Sequence, residues 1–295
     1  MRDFSQDHRW LSLNTATLRR QSGREVPLPD IIAQCARRGV RAISPWRDQV
    51  AAAGLAETRA LLRREGMELS GYCRGGFFTG DTRQARQESL DDNRRAMDEA
   101  REMDAPCLVL VVGALPGALQ GTPHYTDIAR AREEVRDGIA ASLDHARQIG
   151  LPLAIEPLHP MQAADRACVN TLSHALDLCD ELDPLRDGAA AILGVALDVY
   201  HVWWDPALRA QIARAGKQRL MAYHVCDWRL PTRDLLSDRA MMGDGIIELR
   251  KIRDWVETAG YEGYAEVEIF SEADWWQRPG EQTLDTCIER HRAAV

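Results

Sequence analysis

The chain has 295 residues, of which 45% are hydrophobic and 28% are charged, and its formal net charge is −8 at pH 7. This balance is typical of a soluble globular protein with room for one large α/β domain, and no apolar run reaches the roughly 18 residues that a membrane span requires. The negative charge would repel a phosphate backbone and disfavours a nucleic-acid partner. The polar N-terminus lacks the apolar region of a signal peptide, so we expect a cytoplasmic protein whose cysteines are reduced.

The first half of the chain contains four predicted βα units. Each unit begins with a short apolar run and continues into a helical pattern, and several of these helices stop at a glycine. The predicted strands are residues 10–16, 40–44, 67–73 and 106–113. The predicted helices are residues 29–39, 48–64, 85–103 and 127–150.

The second half contains four more units. Its predicted strands are residues 151–156, 193–201, 220–224 and 264–268, and its predicted helices are residues 171–181, 206–215, 246–259 and 281–294. Eight βα repeats without a break in composition are typical of a TIM barrel. We therefore predict an α/β fold, a single-domain (β/α)8 TIM barrel over residues 1–295. A doubly wound open sheet would need fewer strands and a Gly-rich turn after the first strand.

Side chains that can bind a metal stand at the ends of the last four predicted strands. They are Glu156, Asp198, His224 and Glu268. Because the carboxyl ends of barrel strands share one mouth, we expect the four to converge on one divalent metal ion. Three carboxylates and one imidazole suit Mn²⁺, with Mg²⁺ or Co²⁺ as alternatives, better than a structural zinc. Glu266 shares a strand face with Glu268, so either could be the fourth ligand, and we prefer Glu268 as nearer the mouth.

Such a site favours one type of first chemical step. A divalent ion that is chelated by a substrate carbonyl and its neighbouring hydroxyl stabilises an enediolate, which makes the adjacent C–H acidic. A carboxylate can then remove the proton, and its return to either carbon gives an epimer or an isomer. Loss of a β-substituent from the same intermediate would give a lyase instead.

Several segments resemble the sugar phosphate isomerase/epimerase group of the xylose-isomerase-like TIM barrel superfamily, which includes ketose 3-epimerases and inosose isomerases and dehydratases. The segments are Glu156-Pro157, Asp198-Val199-Tyr200-His201, His224-Val225-Cys226-Asp227, Met242-Gly243-Asp244-Gly245 and Val267-Glu268-Ile269-Phe270. By resemblance to ketose 3-epimerases, Glu156 and Glu268 would be metal ligands and also the acid/base pair. The same resemblance implies that His201 and an arginine after His224 hold the substrate, and Arg229 is the candidate for that arginine.

Aromatic and polar residues near the predicted mouth are further candidates for substrate contact. Six of the eight tryptophans follow strand ends, and an indole there could stack on a sugar or cyclitol ring. The alternative is that they pack loops or a subunit interface. We include Trp46 and His159 among the substrate-binding candidates, and Arg74 is a further candidate for contact with substrate hydroxyls.

The sequence thus predicts a metal-dependent isomerase or epimerase of a keto-sugar or keto-cyclitol. The alternative is a metal-dependent lyase, either an inosose dehydratase or a 3-keto-glycoside β-eliminase. An abasic-site endonuclease is disfavoured by the acidic charge and by the small number of strand-end histidines. A non-catalytic accessory subunit would not require all four ligands. The expected partner is a small carbohydrate or cyclitol. The sequence leaves open whether the chain forms a homo-oligomer.

Overall fold

The computed structural model describes residues 2–186 and 190–295. A parallel sheet of nine strand segments lies at its centre. The segments are β1 (Leu11–Asn14), β2 (Ala42–Ser44), β3 (Glu68–Leu69), β4 (Tyr72–Gly76), β5 (Leu108–Val111), β6 (Leu153–Ile155), β7 (Leu193–Asp198), β8 (Leu220–Val225) and β9 (Ala265–Val267).

Two of these segments, β3 and β4, belong to one barrel strand that is interrupted at residues 70–71. β3 pairs with β2, and β4 pairs with β5, so the interrupted strand lies at both ends of the sheet order. The backbone N–H of Cys73 donates to the carbonyl of Pro45 at 3.0 Å and helps to close the circle. The described residues therefore form an eight-stranded parallel barrel, which confirms the predicted fold.

Helices separate the strands along the chain. Those that the structure describes are α1 (Leu28–Arg37), α2 (Arg47–Ala53), α3 (Leu55–Glu65), α4 (Arg83–Glu102), α5 (Ile128–Ile149), α6 (Leu172–Leu182), α7 (Val199–Val202), α8 (Leu208–Arg219), α9 (Leu249–Thr258) and α10 (Gly280–Ala294). Their buried faces join the strands in one large hydrophobic cluster. None of the described helices is long and apolar enough to cross a membrane.

Besides the strand that is interrupted between β3 and β4, two predicted elements are divided in the structure. The helix expected over residues 48–64 is two helices, α2 and α3, because Gly54 between them has φ +87° and ψ 130°, which no helix contains. The strand expected over residues 193–201 ends at Asp198, whose side chain accepts a hydrogen bond from the Tyr200 backbone N–H at 2.9 Å and starts α7. His201 therefore lies on a short helix rather than on a strand.

A small hairpin follows β8 at the mouth of the barrel. Residues 227–228 pair in antiparallel fashion with residues 239–240. The Asp227 carboxylate holds the connection to α9, since it accepts backbone N–H groups of Gly243, Gly245 and Ile247 at 2.9–3.0 Å. This hairpin places Arg239 beside the ends of the barrel strands.

Candidate active site

Four ionisable side chains converge at the carboxyl ends of consecutive strands. Glu156 follows β6, Asp198 ends β7, His224 lies near the end of β8 and Glu268 follows β9. The parallel register pairs His224 with Asp198 on one side and with Glu266 on the other. The four residues are buried and each offers one ligand atom, and these atoms all lie within 4.8 Å of one another.

Direct contacts link the members of this cluster. His224 Nδ1 lies 3.0 Å from Glu156 Oε1 and 3.4 Å from Glu268 Oε2. Arg239 Nη1 donates to Asp198 Oδ2 at 2.7 Å and to Glu268 Oε2 at 3.2 Å. The negative surroundings act on the imidazole: although burial opposes its protonation, Glu266 and Glu156 raise the pKa of His224 well above its usual value.

The residues of the cluster fit a divalent cation. Three carboxylates and one imidazole nitrogen surround a common space, a donor set that suits hard or borderline divalent ions. Burying three carboxylates together is unfavourable unless positive charge compensates for them. Arg239 supplies one such charge, which leaves the buried cluster with excess negative charge that a metal ion could balance.

The surroundings shift the pKa values of the two glutamates in opposite directions. Burial raises the pKa of Glu156 to about 7, and its hydrogen bond with His224 only partly offsets this effect. Burial acts on Glu268 as well, but the Arg239 guanidinium and His224 overcome it and lower the pKa of Glu268 to about 2.

A cleft opens from the cluster toward solvent. Glu156 and Glu268 line it, together with His201, Arg239 and Trp46. Two of the four predicted metal ligands are thus in contact with the space that a small molecule could occupy. Such a cleft at the carboxyl ends of the strands is where TIM-barrel enzymes carry their active sites.

A family model described as the xylose isomerase-like TIM barrel matches residues 32–290. The chain belongs to this family. It is 29% identical over 227 residues to fructoselysine 3-epimerase of Escherichia coli O157:H7, with 74% of each chain covered. It is 21% identical over 212 residues to inosose isomerase of Halalkalibacterium halodurans, covering 71% of this chain and 69% of that protein.

A solved structure of a protein from Sinorhizobium meliloti 1021 is similar to this xylose isomerase-like barrel over nearly its full length. The two share 53% sequence identity and superpose with a TM-score of 0.90, covering 97% of this chain and 98% of the other. The two named relatives above are an epimerase and an isomerase, which supports an enzymatic role for this member of the family.

Arg239 is a site residue that was not predicted from the sequence. It is 3% exposed, and besides the two carboxylates its Nη2 lies 3.1 Å from His201 Nε2. The predicted Arg229 is placed elsewhere: its Nη2 donates to Asp274 Oδ2 at 2.8 Å, and it is not among the residues that line the cleft. The segment Asp238-Arg239 just before the Gly-Asp-Gly motif was the available signal, but one arginine among many shows no sign of burial in sequence.

The two predicted histidines differ in their relation to the cleft. His201 lines it, and burial together with Arg239 lowers the pKa of His201 to about 3, against the opposing effect of Asp198. The His159 backbone N–H lies 3.1 Å from His201 Nδ1, so both ring nitrogens of His201 face donors, the His159 N–H on one side and Arg239 Nη2 on the other. The His159 ring stacks on Trp228 with centroids 4.9 Å apart and does not line the cleft.

Glu266, the alternative fourth ligand, lies on the other side of the His224 ring. Its Oε1 is 3.6 Å from His224 Nε2, the nitrogen that faces away from Glu156. Glu266 accepts hydrogen bonds from Asn14 Nδ2 at 2.9 Å and from Ser70 Oγ at 2.8 Å. A carboxylate behind a ligating imidazole orients the ring and increases its basicity, so Glu266 is placed to support His224.

Three of the six tryptophans near the mouth, Trp228, Trp275 and Trp276, are buried, with 4–8% of their surface exposed. Among the six predicted, Trp46 lines the cleft, where its Nε1 donates to Asn14 Oδ1 at 2.7 Å. Trp228 is 8% exposed and packs against Tyr200 with centroids 4.8 Å apart. The expectation of many indoles around the substrate therefore reduces to one indole in the lining of this cleft.

Proposed function

We propose that the chain is a divalent-metal-dependent isomerase or epimerase of a keto-sugar or keto-cyclitol. The metal ligands in this proposal are Glu156, Asp198, His224 and Glu268, with Mn²⁺ as the first choice of ion. The observation that supports it best is the cluster of four donors within 4.8 Å of one another, two of which also line the cleft. A purely structural ion site would not need to expose two of its carboxylates to a ligand.

The metal ion would act as a Lewis acid toward the oxygens of a bound carbonyl and its neighbouring hydroxyl. Glu156 and Glu268 are the acid/base pair in this proposal because both line the cleft. One of them takes the proton from the carbon next to the carbonyl, and the other returns a proton to the same or to the neighbouring carbon. Asp198 and His224 stay behind them as ligands and do not enter the cleft lining.

We propose that His201, Arg239 and Trp46 hold the substrate. His201 offers an imidazole and Arg239 offers guanidinium N–H groups, which can form hydrogen bonds with substrate hydroxyl and carbonyl oxygens. Trp46 offers an apolar ring surface for stacking, worth on the order of 1 kcal/mol beyond the area that it buries. In this scheme Arg239 takes the role that was predicted for Arg229, and His159 acts on His201 through its backbone N–H.

The test is a mass-spectrometric screen of keto-sugars, inososes and 3-keto-glycosides with Mn²⁺-loaded protein in deuterated water. We expect an isomeric product that carries one deuterium beside the carbonyl. The lyase alternative shares every residue of the first step, so an unsaturated product with new ultraviolet absorption would assign it instead. Absence of exchange with every compound, in protein shown to contain metal, would overturn the proposal. Glu272→Gln, a change at an exposed carboxylate, serves as the charge-matched control for Glu156→Gln and Glu268→Gln.

A further inference from the structure

Two arginines in the wall of the cleft have no anionic partner among the residues that the structure describes. Arg74 belongs to β4, and Arg166 lies in the connection between β6 and α6. Both line the same cleft as Glu156 and Glu268. Within residues 2–186 and 190–295, neither guanidinium makes a hydrogen bond or an ion pair, although both side chains are partly buried.

The carboxylates of the cleft are already engaged with other groups. Glu156 contacts His224 at 3.0 Å, and Glu268 shares Arg239 with Asp198. Asp48 lies within electrostatic range of Arg74, as Asp234 does of Arg166, but neither forms a contact. Within the described part of the chain, the two cationic groups are therefore left unpaired in the wall of the cleft.

Two aromatic rings, rather than an anion, contact the Arg74 guanidinium. It lies 4.3 Å from the Phe77 ring centroid and 5.9 Å from that of Trp46, and these cation–π contacts stabilise its charge in part but accept none of its N–H groups in the ring plane. Burial, and to a smaller degree the like charge of Arg166, lower the pKa of Arg74. By contrast, Arg47 nearby is paired with both Glu99 and Asp92 at 2.7 and 3.0 Å. Guanidinium groups are well suited to bind carboxylate or phosphate oxygens in such a place.

We infer that Arg74 and Arg166 bind an anionic group, a carboxylate or a phosphate, that is carried by the substrate. The inference rests on the proposed function, which assigns the sugar part of the substrate, and adds that the substrate carries a negative charge. A ligand that reaches from Glu156 and Glu268 to these arginines would place its carbonyl end at the cluster and its anionic end in the outer cleft. The substrate class is then an acidic or phosphorylated keto-sugar rather than a neutral one.

The experiment compares sugars that share a ketose end and differ in charge. We would measure kcat/KM for D-fructose, D-fructose 6-phosphate, D-fructuronate and N-linked fructosyl-glycine, and the binding of each by titration calorimetry. We expect at least one anionic compound to exceed fructose by tenfold or more in kcat/KM and in affinity, since charge-assisted hydrogen bonds are strong. The anionic compound that is preferred identifies whether the arginines bind a phosphate or a carboxylate, and at which end of the sugar this group lies.

Variants test whether the arginines cause that preference. In Arg74→Gln and in Arg166→Gln, the ratio of anionic to neutral kcat/KM should fall about tenfold, whereas Arg209→Gln, on the exposed side of α8, should keep the ratio. Circular dichroism checks that each variant folds. If Arg74→Gln, in a barrel strand, does not fold, Arg166→Gln still tests the inference because it lies outside the barrel strands. Turnover of neutral and anionic sugars at equal efficiency, or an unchanged ratio in both variants, overturns the inference but leaves the proposed function. Tight anion binding that depends on both arginines, without turnover of any sugar, supports the anion site and counts against the proposed function.

Discussion

The buried guanidinium of Arg239 should be more important for stability when the metal is absent than when it is bound. Arg239 is 3% exposed and contacts Asp198 at 2.7 Å and Glu268 at 3.2 Å. Arg239→Met keeps an unbranched side chain and removes the charge, so two buried carboxylates lose their partner. Breaking a buried ion pair in this way costs about 3–5 kcal/mol of unfolding free energy.

A bound dication would supply part of the lost positive charge. We therefore expect the cost of Arg239→Met to be smaller in Mn²⁺ than in a chelator, by at least about 1.4 kcal/mol. By linkage, the same difference appears as a tenfold or greater gain in apparent metal affinity of the variant.

Urea unfolding at pH 7.5, with chelator and with excess Mn²⁺, measures both costs. Arg219→Met is the matched control, because Arg219 is 1% exposed and donates to the backbone carbonyls of Leu193 and Asp183 at 2.5 Å, away from the cluster. Its cost should be the same in both conditions. Equal costs for Arg239→Met in the two conditions would refute the idea that this guanidinium balances the charge of the metal ligands.

Three further predictions concern single side chains. Glu156→Gln and Glu268→Gln should each lower kcat by about 10²-fold or more in steady-state assays, since an amide cannot accept a proton; near-normal turnover in either variant removes that residue from the acid/base role. Glu266→Gln should weaken metal binding about 10- to 100-fold in chelator competition, because the carboxylate behind His224 is lost, and unchanged affinity would contradict this support. Burial lowers the pKa of His291 to about 3, so below the unfolded-state value near 6.5 only the unfolded chain gains a proton and stability falls as the pH falls. Relative to His291→Leu, the wild type should lose about 1.4 kcal/mol between pH 7.5 and pH 5.5 in urea unfolding, and parallel losses in both proteins would contradict the assignment.

The barrel could be predicted because its signals are local. Eight short apolar runs, each followed by a helix-length segment, recur without a break, and such runs form strands that are buried on both faces. Convergence of Glu156, Asp198 and His224 follows from topology, since the parallel strands of a closed barrel end at one mouth. The split at Gly54 was less visible, because a glycine within a helical pattern is often tolerated and its φ of +87° is seen only in the folded structure.

Local patterns in the sequence were enough to identify the strands that carry ligand-type side chains, but the depth and the partners of those side chains depend on the folded barrel. Alternation places Glu266 and Glu268 on one face, and the register of β9 against β8 is what puts Glu266 beside His224 and Glu268 at the cluster. The choice between Arg229 and Arg239 depends on the antiparallel pairing of residues 227–228 with 239–240, which brings Arg239 back beside the end of β8. An arginine becomes a buried site residue when carboxylates from other strands surround it, and that arrangement exists only in the folded barrel.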